Sequence, residues 1–137
     1  MRLAILALVL AALATPASAS ELVLRLSTRT AGGSLAVAVY RDADSFRRGE
    51  DPIATRTVPR TGPVTNVTFS GLAPGRYAVA AFHDMDGNGD LTLWPIGLPR
   101  EAYGFSNDAR GRFGPPPFAQ AAFDLPAAGT TRSFSLR

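Results

Sequence analysis

The stretch that decides the fold is GLAPGRYAVAAFHDMDGNGD, Gly71 to Asp90. It enters through Pro74-Gly75 and then runs apolar from Tyr77 to Phe82. Tyr77, Val79 and Ala81 fall on one face, with Ala78, Ala80 and Phe82 on the other. Side chains alternate across a strand, so a run apolar on both faces predicts a central strand covered on both sides. After His83 the residues change to Asp, Asn and Gly, which end a strand in a turn.

Outward from this strand, the chain is a series of short β-type runs between Gly, Pro and Asp punctuation. Leu22, Leu24 and Leu26 alternate with polar or smaller residues, as do Leu35, Val37 and Val39. Ile53 to Val58 is more polar and reads as an edge strand. Val64 to Phe69 places Val67 and Phe69 on one face. Ala121 to Leu125 and Ser133 to Leu136 read as closing strands. A helical turn is predicted over Asp42 to Arg48, with Asp44 as its cap. Seven to eight short strands predict an all-β fold, a single antiparallel Greek-key β-sandwich over residues 20–137. Pro95 to Phe118 (PIGLPREAYGFSNDARGRFGPPPF) is longer than ordinary connections. Its aromatics Tyr103, Phe105, Phe113 and Phe118 give it apolar mass to pack, which predicts one long ordered loop.

The beginning of the chain has a different character. Met1-Arg2 is a short positive region, Leu3 to Ala14 is unbroken apolar sequence, and Pro16-Ala17-Ser18-Ala19 has the small-residue pattern that signal peptidase cleaves. The apolar run is too short for ~30 Å of hydrocarbon, so no transmembrane segment is expected. Residues 1–19 are read as a signal peptide, and the protein as exported, periplasmic or extracellular, in a bacterium. The mature chain then has 118 residues, enough to bury an adequate core without disulfides.

Composition excludes several chemistries. Without Cys there are no disulfides, thiol nucleophiles or thiolate metal sites, and a single His leaves little for an imidazole metal centre. The pI near 10.2 suggests a nucleic-acid partner until its origin is traced. All 14 basic residues are Arg, against 11 acids, so little titrates until Tyr ionises near pH ~10. The arginines are scattered, with Arg47-Arg48 the one adjacent pair, and no nucleic-acid partner is expected.

Asp84-Met85-Asp86-Gly87-Asn88-Gly89-Asp90 has the opening pattern of a calcium loop, with side-chain oxygens at alternate positions and then Gly. Alternate residues of a tight loop can converge on one hard cation, which makes Asp84, Asp86, Asn88 and Asp90 candidate ligands. The twelfth position is Pro95, not the bidentate Glu, so further carboxylates would come from elsewhere. Glu101 and Asp108 are the nearest. Asp-Gly and Asn-Gly are equally the residues of a hairpin turn, and both readings stand. Any calcium affinity is expected to be weak, ~10⁻⁴–10⁻³ M.

Catalytic signals are sparse. His83 and Asp84 are consecutive in a strand and should face opposite ways, against a dyad. Ser106 lacks the second Gly of a nucleophile elbow. A hydrolase acting on envelope glycan or ester through the His83, Glu101 and Asp108 region is the alternative to a non-enzymatic module. His83, Glu101, Tyr103, Ser106, Asn107 and Arg110 could form a binding loop, or could pin the loop internally.

Two resemblances sharpen this reading. Gly71-Leu72-Ala73-Pro74-Gly75-Arg76-Tyr77 resembles the G-L-x-P-G-x-Y phrase of transthyretin-like (prealbumin-like) sandwiches in exported bacterial modules. His83 to Gly89, Gly97 to Asn107 (GLPREAYGFSN) and Phe113 to Phe118 (FGPPPF) resemble segments shared by domain-of-unknown-function family 2141 of bacterial exported proteins. Pro117 departs from that pattern. The resemblance implies a small exported β-sandwich and an ordered long loop, and brings no activity. The combined expectation is a binding or accessory module of the cell envelope, with calcium as its one candidate cofactor and an envelope glycan or protein as partner.

Overall fold

The computed structural model describes residues 19–87, 101–112 and 114–137. The expected signal peptide lies almost entirely outside them, as do Phe113 and the start of the long loop. Among these described residues, eight strands form two sheets. The first holds β1 (Ser20–Ser27), β4 (Val64–Leu72) and β8 (Thr130–Ser135) in the order β4-β1-β8. The second is ordered β3 (Ala54–Pro59), β2 (Ser34–Tyr40), β5 (Gly75–Asp84), β6 (Tyr103–Phe105), and β7 (Phe123–Leu125) also pairs with β5.

One pairing departs from the antiparallel expectation, since β1 and β8 run parallel, Leu22 beside Thr130 through Ser27 beside Ser135. A hairpin forces neighbours to be antiparallel, but β8 arrives from the other sheet and no short turn dictates its direction.

The leucines of β1 and Leu35, Val37 and Val39 of β2 meet Val67, Phe69, Tyr77, Val79 and Phe134 between the sheets. Full burial of each Leu contributes ~1.5–3 kcal/mol. The other face of β5 is apolar because it has a cover of its own. Ala78 and Ala80 pack with Ala38, Tyr40, Phe46, Phe105 and Ala121 beneath two short helices, α1 (Ala43–Arg48) and α2 (Phe118–Ala121). Phe46 meets Tyr40, Phe105 and Phe118 edge to face at 5.7, 5.8 and 5.9 Å. Burial in this layer pushes the Tyr40 phenol up to about 12.

The helical turn stands where it was expected, but its cap is Asp42. The Asp42 carboxylate accepts from the Ser45 N–H at 2.9 Å, while Asp44 lies in the first turn and pairs with Arg47 and Arg48. Asp42 has the extended backbone that an N-cap requires, and Asp44 is already helical. Gly49, left-handed at φ 63°, closes the helix. α2 and β6 are both short elements within or beside the predicted loop.

Candidate functional site

The site grows from the edge of β5 that faces away from β2. β7 covers that edge at Gly75 to Tyr77, and β6 covers it at Ala80 to Phe82. Between the two, Ser106 fills the gap. Its Oγ accepts the Val79 N–H at 2.9 Å and donates to the Ala121 carbonyl at 2.5 Å, and the residue is fully buried. Asn107 then donates to the carbonyls of Gln120 and Ala122 at 3.1 and 2.8 Å. Asp108 accepts the Ser135 N–H at 2.8 Å, and the Arg110 guanidinium lies 5.5 Å from the centre of the Tyr103 ring. The far side of β6 is also paired, Tyr103 and Arg137 exchanging backbone bonds at 3.0 and 3.1 Å. These residues hold the segment to the sandwich.

The β5–β6 register sets Ala80 against Phe105 and Phe82 against Tyr103. The His83 N–H continues the ladder to the Ala102 carbonyl at 2.8 Å. One step further the same register brings Glu101 to Asp84, on the same face of the sheet. Asp84, Asp86 and Glu101 accordingly converge, each with a carboxylate oxygen within 4.8 Å of the others. That separation suits one ion, since oxygens at about 2.4 Å from a calcium lie at most ~4.8 Å apart. Carboxylates so close repel one another, and Asp84 is only 1% exposed, so water screens it poorly. Two backbone donors temper the charge. Met85 N–H donates to Glu101 at 3.1 Å, and Gly87 N–H donates back to the Asp84 carboxylate at 3.0 Å. Turn chemistry and cation geometry therefore share two of the three carboxylates, Asp84 and Glu101. Asn88 and Asp90, the other two candidate ligands, lie outside the described residues.

His83 faces the other way, as strand alternation requires. It stands opposite Leu35 at the end of the inter-sheet core, 2% exposed, with Nε2 2.6 Å from the Gly32 carbonyl. A carbonyl can only accept, so this nitrogen carries the proton. Gly33 is pressed against the same corner. A Cβ there would lie 2.8 Å from the Asp84 carbonyl and 3.1 Å from the His83 ring, and its φ is +69°. The sequence contained no signal for this close approach beyond a Gly-Gly pair.

The residues named for a hydrolase thus have separate partners. Ser106 sits beside Val79, four strand residues or ~13 Å along from His83, and Asp108 is bound to β8. Glu101 is the member of the predicted loop that the fold joins to the acidic turn. The register that brings Asp84 to Glu101 depends on β6, a three-residue strand too short to recognise in the sequence.

A family profile for an uncharacterized protein conserved in bacteria matches residues 27–133, from the end of β1 into β8. No curated protein and no solved structure matches the chain. With most of its length matched, including the β5 edge and the acidic corner, the chain belongs to the bacterial family DUF2141.

Proposed function

We propose that the protein is an exported, non-enzymatic β-sandwich module of the bacterial cell envelope, and that its Asp84–Asp86–Glu101 corner takes up calcium. The observation that carries the cation is the convergence of Glu101 with Asp84 and Asp86. Glu101 comes from a separate segment, and it meets a loop whose sequence already has the alternating oxygen pattern of a calcium site. Bound there, calcium would offset the repulsion and fasten the start of the 101–112 segment to β5. An accessory or binding role suits the rest, since Ser106, Asn107 and Asp108 spend their polar groups on backbone.

Export is supported by the start of the fold. β1 begins at Ser20, so cleavage after Ala19 would leave the sandwich whole. Expression in a bacterial host, fractionation and amino-terminal sequencing test this, with Ser20 as the expected first residue and retention of Met1 as the contrary result. Calorimetric titration of calcium tests the corner. Binding near ~10⁻⁴–10⁻³ M is expected, abolished by Glu101→Gln. Titration without heat of binding would refute the cation reading.

A further inference from the structure

No described element packs over the outer face of the β4-β1-β8 sheet, whereas α1 and α2 cover the outer face of the other sheet. Its side chains are fixed in rows by the register. Asn66, Arg25 and Ser133 lie side by side across the three strands. The next row toward the end of β1 is Val64, Ser27 and Ser135, and the row before is Thr68, Val23 and Thr131. Strands stand ~4.8 Å apart and alternate residues ~6.8 Å apart, so the face is a flat grid of hydroxyls and an amide around one exposed Arg. None of these nine positions is acidic; Glu21, exposed one row beyond Val23 on the same face, lies at the end opposite Arg29.

The grid ends in a basic hollow. A cavity of about 180 Å³ opens where β1 and β8 finish together, lined by Ser27, Thr28, Arg29, Ser135, Leu136 and Arg137. Thr28, one of the lining residues, accepts a hydrogen bond from Arg60 Nε at 2.6 Å. The parallel pairing of β1 with β8 is what brings Arg29 and Arg137 to one end.

We propose that this face binds an acidic polysaccharide, an extended hydroxyl-rich polymer carrying spaced carboxylates. Arg25 and Arg29 pair with carboxylates, and the Ser, Thr and Asn side chains exchange hydrogen bonds with sugar hydroxyls. Other occupants fit less well. Val23 and Val64 give too little apolar area for a protein hot spot. Nucleic acid, with a charge every ~1.7 Å of duplex, calls for denser basic side chains. The inference rests on the reading of the chain as a binding module and is independent of the acidic corner.

The test is calorimetry of the exported chain with hyaluronan decasaccharide, which carries a carboxylate on alternate sugars, in EDTA at low salt. The same oligosaccharide with its carboxyls reduced is the control. We expect binding that falls with salt, a loss of at least ~10-fold on carboxyl reduction, and ~5–10-fold weakening by Arg25→Ala or Arg29→Ala. Arg47→Ala, on the far side and paired with Asp44, should bind like the parent. Equal affinity for the reduced sugar, or equal weakening by Arg47→Ala, overturns the proposal. A protein that keeps its calcium response yet ignores hyaluronan overturns this surface alone. Binding in EDTA supports the surface whatever calcium does.

Discussion

Replacing Ser106 with Ala removes one buried oxygen and leaves two backbone groups without their partner. Val79 lies where neither β6 nor β7 reaches, because their pairing with β5 stops at Ala80 and at Tyr77. No strand can therefore take over its N–H, and Ala121 loses a donor that now sits at 2.5 Å. A buried group left unpaired costs ~1–3 kcal/mol, so the two together should cost ~2–6 kcal/mol. For a domain of this size that is a fall in Tm of roughly 8–24 °C. Urea unfolding followed by circular dichroism should show a lower midpoint with an unchanged slope. A loss below ~0.5 kcal/mol would refute the reasoning, since it would mean the hydroxyl bridges nothing of consequence. A serine-directed phosphonate should leave this buried side chain unlabelled, and labelling would likewise contradict its assignment.

Gly33→Ala should cost ~1–3 kcal/mol in urea unfolding, because the left-handed backbone is strained for Ala and the new methyl meets the Asp84 carbonyl; a neutral result would mean the corner is looser than described. Ultraviolet titration should show a phenol near 12 that disappears in Tyr40→Phe. With the folded value above the unfolded value of 10.0, its contribution is complete below pH 10.0 and is lost as pH rises through about 12. Asp42 is held below its ordinary 3.8 by the Ser45 backbone N–H first and the Ser45 hydroxyl next. A lowered folded value contributes above 3.8 and fades as pH falls through it, so Asp42→Ala should lower Tm at neutral pH and match the parent in stronger acid.

Much of the sandwich was legible because its signals are local. The alternation of Leu22, Leu24 and Leu26 is visible in any short window, as is the doubly apolar run from Tyr77 to Phe82. Partner choice was less so. Nothing in Thr130 to Ser135 states that it lies parallel to β1, since direction follows from a crossover between sheets. The long loop left two roles open for the same reason. Ser106 and Asn107 suit a polar binding loop or an internal pin equally, and their partners are backbone groups 13 to 27 residues away. The carboxylates of the acidic turn were legible, and so was the need for another from Glu101 or Asp108. Choosing Glu101 required the β5–β6 register, while Asp108 turned out to be committed to β8.

Thermal unfolding of the parent and of Glu101→Gln, each in EDTA and in 10 mM calcium, tests the central claim most directly. A site with Kd ~10⁻⁴–10⁻³ M should stabilise the parent by ~1.4–2.7 kcal/mol at ~10 mM calcium, a rise in Tm of roughly 5–10 °C. The variant should show almost none of that rise. A parent whose Tm is the same in EDTA and in calcium would contradict the cation corner and leave Asp84 and Glu101 as the acceptors of a turn.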